Sequence, residues 1–155
     1  MSTRANIELY TCWEPEHKRY IETRKEVVLY HHHDGYPAWM GQELEQILDQ
    51  AKVTLEQAGY AYWWDGERVG ALMVKLSADD TEYYQSVPRF QPCLKPHIDI
   101  EYLWRVFLGP NAGTYKIYCY EISHDWLSGE VDSLKPVNWR AVIKNEKKRI
   151  LKQGV

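Results

Sequence analysis

At 155 residues the chain has the length of one domain, with room for a core that needs no disulfide or metal staple. Apolar residues at 45% and charged residues at 26% are ordinary for a globular protein, and a formal net charge of −3 argues against a chain whose main work is coating nucleic acid. Seven Trp and twelve Tyr against two Phe mark an excess of rings with a flat apolar face and a polar tip, suited to half-buried surfaces and stacking pockets.

In chain order, ANIELY (5–10) reads as a short strand. TCWEPEHKRYIETRK (11–25) is polar and crosses Pro15, so it reads as a loop or hairpin connection. EVVLYHHH (26–33) is rich in β-formers and predicts a second strand. Period-two geometry places Val27, Leu29, His31 and His33 on one face of it, and Val28, Tyr30 and His32 on the other. DGYP stops the strand: Asp34 and Gly35 supply turn chemistry, and Pro37 has the fixed φ of a first helical residue.

Met40, Leu44, Ile47, Leu48, Ala51 and Leu55 then recur at helical spacing, with Gly59 as the stop. Asp65-Gly66 suits a hairpin turn, yet Val69, Leu72, Met73 and Leu76 form a helical stripe, and a second helix from Gly66 to Ser77 is favoured. Residues 79–97 are polar and proline-rich and predict a long loop. Residues 97–108 and 114–123 flank the turn cluster GPNAG and predict a hairpin, with Ile98, Ile100 and Tyr102 on one face and Asp99, Glu101 and Leu103 on the other. After a loop through Gly129 and Pro136, residues 138–152 predict a basic amphipathic helix.

The sum is a single α+β domain over residues 1–155: a mostly antiparallel four-stranded sheet with two or three helices on one face. Cys12, Cys93 and Cys119 lack C-x-x-C spacing and read as reduced thiols of a cytoplasmic protein. No secretory signal is expected at the N-terminus, and no apolar run approaches the roughly 18 residues that span a bilayer.

Two polar clusters stand out. The first is His31, His32, His33, Asp34 and Tyr36. It is open to four readings: two imidazoles and a carboxylate on a metal, a histidine made basic by a carboxylate, a ligand pocket with Tyr36 as stacking ring, or a structural turn with Asp34 capping the helix. The second is His97, Asp99, Glu101 and Tyr102, where crowded carboxylates favour a cation, a basic partner or one raised pKa; the alternative is an exposed polar sheet face. Arg4 suits a phosphate or carboxylate, or an ion pair with Asp34 or Asp99. The basic residues of the last helix suit an acidic partner or plain solvation. G-x-S-x-G, P-loop, dinucleotide and H-E-x-x-H motifs are absent, and no metal or other cofactor is assigned.

Three segments in order, STRANI, YHHHDGYP with a glycine following, and HIDIEYLWRV, resemble a group of small phage and bacterial proteins with an N-terminal T/S-R-x-x-I, an H-x-DGYP turn and a D-I-E-Y-L-Y-like strand. The matched pieces are spread from Ser2 to Val106, and the chain departs from the pattern at His32, where an aromatic such as Trp is common. The resemblance implies that Arg4, His33, Asp34, Gly35, Tyr36, Asp99, Glu101 and Tyr102 belong to one pattern, and a phage setting would suit a role against host defence.

The first expectation is a binding protein for a small polar or nucleotide-like ligand, held by Arg4, His31, His33, Asp34, Tyr36, Trp39, Asp99, Glu101 and Tyr102, with sequestration of a host defence signal as its role in a phage setting. The second is an inhibitor of a host protein by direct contact, with self-association open. The third is a small His/carboxylate hydrolase acting on phosphoesters, with or without a metal.

Overall fold

Alternation along β1 (Ala5–Trp13) sorts its side chains between two faces: Ala5, Ile7 and Leu9 are fully buried on one, and Asn6, Glu8 and Tyr10 take the other. The computed structural model describes residues 3–13, 22–60, 63–79, 87–109, 115–122 and 134–153. β2 (Glu22–His31) runs antiparallel to β1, from His31 opposite Ala5 to Glu22 opposite Trp13, with a register irregularity between Leu9 and Tyr10. The segment read as a polar connection is therefore strand at both its ends, over 11–13 and 22–25. Thr11, Cys12, Thr23 and Arg24 look like loop residues in sequence, yet they pair across the ladder.

Pro37 opens α1 (Pro37–Gln57), and Tyr36 is its N-cap residue, with no side-chain capping bond. Asp34 is thus not the cap; it sits at φ 56°, the left-handed conformation that turns the chain out of β2. Gly59, at φ +84°, ends the helix as its spacing predicted, its amide donating to the Glu56 carbonyl at 3.1 Å. α2 (Gly66–Asp79) settles the Asp65-Gly66 ambiguity: Asp65 Oδ1 accepts the Glu67 amide at 3.1 Å, capping a helix rather than making a hairpin.

The remaining elements are β3 (Phe90–Pro92), β4 (Tyr102–Leu108), β5 (Tyr115–Ile122), β6 (Leu134–Val137) and α3 (Trp139–Gln153). They complete a six-stranded sheet in the order β3-β2-β1-β4-β5-β6. The expectation of a four-stranded, mostly antiparallel sheet is corrected in two respects. β1 and β4 pair in parallel, Ala5 opposite Tyr102 through Thr11 opposite Leu108. The edges are β3 and β6, three and four residues long and each holding a proline, Pro92 and Pro136. A proline lacks the ladder donor and is tolerated at an edge, where so short a strand leaves no periodic signal. Strand β4 also starts later than predicted. Residues 97–101 are irregular, so Ile98 is exposed and Ile100 buried instead of sharing a strand face.

The helices lie over the face made by Ala5, Ile7, Leu9, Leu29, Trp104, Val106 and Leu108, which joins Met40, Leu44, Leu48, Val69 and Met73 in one core. Truncating a fully buried leucine such as Leu48 to alanine typically costs about 2–5 kcal/mol. Trp139 carries α3 onto this core, its Nε1 donating to the Ile117 carbonyl at 3.0 Å. Among the described residues no helix is long and apolar enough to cross a membrane. The GPNAG turn beyond Gly109, the loop at Gly129 and residues 80–86 of the long predicted loop lie outside the described residues.

Candidate functional site

The start of β1, the DGYP turn and the approach to β4 meet at one corner of the sheet. Gly35 donates its amide to the Thr3 carbonyl at 2.9 Å, and its own carbonyl accepts Trp104 Nε1 at 3.1 Å. A β-carbon at Gly35 would stand 2.7 Å from the Ala5 side chain and 3.0 Å from the Thr3 carbonyl oxygen, so the glycine is there for close approach. The chain between β3 and β4 crosses the sheet face opposite the helices. There His97 stacks on Tyr30 with ring centroids 3.7 Å apart, and its carbonyl accepts Asn6 Nδ2 at 2.9 Å. That crossing delivers Asp99 and Glu101 to Arg4. Glu101 Oε2 accepts the Arg4 amide at 2.6 Å, and the Arg4 carbonyl accepts the amides of Glu101 at 3.0 Å and Tyr102 at 3.3 Å. The Arg4 guanidinium pairs with the Asp99 carboxylate.

A cleft of about 640 Å³ opens at this corner, lined by Thr3, Arg4, Tyr36, the segment Ile98 to Tyr102, Glu121 and Ile122. Five residues nominated from the sequence therefore share a wall: Arg4, Tyr36, Asp99, Glu101 and Tyr102. Three carboxylates, Asp99, Glu101 and Glu121, face one guanidinium that Asp99 already engages. Burial first, then the charges of Glu121, Cys119 and Glu101, push the Tyr102 phenol above its ordinary value, so it stays a neutral hydrogen-bond donor.

The other nominated residues do not line this cleft. β2 ends at His31, so strand alternation stops before His33 and the two imidazoles do not form a shared face. His31 is buried beneath α1, its Nε2 3.4 Å from Glu43 Oε2 and its ring edge-on to Phe90 at 4.9 Å. Glu43 also receives Arg89 Nε at 2.7 Å. Burial works to raise the Glu43 carboxyl, but its contacts with His31 and Arg89 outweigh that and hold it below its ordinary value. His32 Nδ1 meets the Tyr30 hydroxyl at 2.7 Å, and the exposed His33 ring lies edge-on to His32 at 4.5 Å. Asp34 and Trp39 face solvent, Trp39 being 54% exposed. Among the described residues no three His, Cys, Asp or Glu side chains converge as metal ligands would, so the set His31, His33, Asp99 and Glu101 is not brought together.

Sequence reasoning missed Glu121 and Ile122. They reach the cleft through the β4–β5 register, which sets Glu121 opposite Tyr102, and through the Ile122 amide donating to the Glu101 carbonyl at 3.0 Å. Continuing the predicted hairpin residue by residue from its turn was the signal that pointed there. A second cleft of about 630 Å³ lies beside α1 and α2, with Glu43 and Arg89 in its wall, and no local motif marks it. Comparison of the chain with family models, with curated proteins and with solved structures gives no match.

Proposed function

We propose that the chain is a binding protein that holds a small polar ligand, up to nucleotide size, in the cleft at the DGYP corner and does not turn it over. The observation that carries this reading is the meeting of Arg4, Tyr36, Asp99, Glu101 and Tyr102 in one wall from three distant segments. A volume of about 640 Å³ falls in the range of small-molecule sites. The half-exposed Tyr36 ring offers a stacking surface, and its loss leaves the N-cap geometry of α1 intact because its side chain makes no capping bond.

The charge balance sets the polarity of the ligand. Asp99, Glu101 and Glu121 accept hydrogen bonds and favour an amine, a base amino group or sugar hydroxyls, while Arg4 is the cation for a single acceptor or anionic group. The lining consists of carboxylates, phenols, a threonine, an arginine and isoleucines, a set able to hold and orient a polar ligand. Binding without turnover suits sequestration of a small signalling molecule, a role that a phage setting would suit.

The test is a thermal-shift screen followed by calorimetry, with amines, nucleosides, linear nucleotides and cyclic nucleotides as probes. A true ligand at a hundredfold excess over Kd adds about 2.7 kcal/mol to stability. Stabilisation of the native chain that Tyr36→Ala and Glu121→Gln each reduce supports the reading. The absence of stabilisation by every probe, or a gain that both variants keep in full, overturns it.

A further inference from the structure

The face of the sheet opposite the helices carries a second surface, away from the DGYP corner. Tyr10 of β1 and Phe107 of β4, register partners, stack with centroids 4.8 Å apart at 17°. Phe107 meets Tyr118 of β5 edge-to-face at 5.6 Å, and the Arg105 guanidinium lies 5.3 Å from the Tyr120 ring centre. The rings form a track across three adjacent strands, and Tyr118 is 45% exposed on it. Register also places Lys25, Arg105 and Lys116 on this face, as the partners of Tyr10, Glu8 and Phe107. Glu8, buried at the centre, takes Arg105 Nε at 2.9 Å and Lys25 Nζ at 3.2 Å. Lys116 makes no ion pair among the described residues. Among the described residues, three cations against the Glu8 carboxylate make this patch of β1, β2, β4 and β5 locally positive on a chain of net charge −3.

We propose that this aromatic, locally basic sheet face binds a short stretch of single-stranded RNA. Unpaired bases stack on exposed rings of a sheet, and flanking cations meet the phosphates. Here the exposed Tyr118 supplies the stacking ring, the half-buried Tyr10–Phe107 pair forms the apolar floor beside it, and Lys116 with the outer edge of Arg105 meets the backbone. The Tyr118 and Tyr120 hydroxyls make no hydrogen bond among the described residues, which leaves phenol groups to pair with a ribose 2′-hydroxyl that DNA lacks. Duplexes keep their bases stacked internally and offer nothing to these rings. The negative whole-chain charge restricts such binding to this patch and agrees with the exclusion of bulk nucleic-acid coating.

A second copy of the chain fits the face less well. A two-fold contact through it would set Lys116 and Arg105 against their own like charges, and stable self-association needs a more apolar centre than the Glu8 cluster provides.

The test is fluorescence anisotropy with a short fluorescein-labelled single-stranded RNA of mixed sequence, its DNA counterpart and the RNA duplex, at low and high salt. The expected result is single-stranded RNA bound most tightly, weakened by salt, with Tyr118→Ala and Lys116→Glu each lowering affinity roughly tenfold at unchanged melting temperature. Tyr118 is exposed, so its truncation leaves the fold in place. The proposal is overturned by no RNA binding at low salt, by duplex or single-stranded DNA bound as tightly, or by full affinity in both variants. A dimer that Tyr118→Ala dissolves would assign the face to self-association instead.

Discussion

Arg4 and Glu101, 97 residues apart, are joined at both polar groups of the Arg4 main chain: the Glu101 carboxylate accepts the Arg4 amide at 2.6 Å, and the Arg4 carbonyl accepts the Glu101 amide at 3.0 Å. This clasp fixes the height at which β4 enters beside β1, and with it the wall of the corner cleft. Glu101→Ala removes a charge-assisted bond to a backbone donor and is expected to cost about 1–3 kcal/mol in urea unfolding. An unchanged unfolding midpoint would remove the clasp from the account.

Gly41 and Trp139 form the seat of α3. A β-carbon at Gly41 would fall 2.3 Å from the Trp139 ring, inside any tolerable contact. Gly41→Ala is therefore expected to destabilise by about 1–3 kcal/mol despite alanine's better helix propensity. The cost should be smaller when Trp139→Ala is already present, and a double-mutant cycle reads that coupling.

Glu43 links stability to pH. Its folded carboxyl titrates below the ordinary value because His31 and Arg89 contacts outweigh burial. The unfolded chain thus binds its proton first as pH falls, and the stabilisation is present above about pH 4.3 and lost as pH drops through the folded pKa. Glu43→Gln should cost about 1–3 kcal/mol at pH 7. Its deficit relative to the native chain should shrink steadily below about pH 4, which denaturation at a series of pH values measures.

Thiol reactivity separates the cysteines. Burial, with the Glu121 charge adding to it, pushes the Cys119 thiol up to about 12, and Cys119 is 2% exposed. Cys12 and Cys93 are half-buried. A disulfide reagent at pH 8 should label Cys12 and Cys93 in the native state and reach Cys119 only on unfolding. Mass spectrometry of the labelled chain checks the order.

Local pattern carried much of this fold and less of its site. The apolar stripes of α1 and α2, the Gly59 stop and the register-rich centre of β2 follow from neighbours in sequence. The parallel β1–β4 pairing does not, because it joins segments about 97 residues apart and is set by the crossing chain at His97. The predicted shared face of His31 and His33 fails for a geometric reason: alternation ends with the strand at His31, after which Asp34 turns the chain through a left-handed conformation. What DGYP signalled was a close approach of Gly35 to Thr3 and Ala5, and the polar residues gathered there came with it.

The central claim, a ligand seated at the DGYP corner, is tested most directly by mapping backbone amide shifts while the strongest stabilising probe is titrated. The account predicts saturable shifts concentrated at Arg4, Tyr36, residues 98–102 and residues 121–122, and their loss in Tyr36→Ala. Shifts clustered instead along the α1–α2 cleft around Glu43 and Arg89, with the corner unmoved, would contradict it.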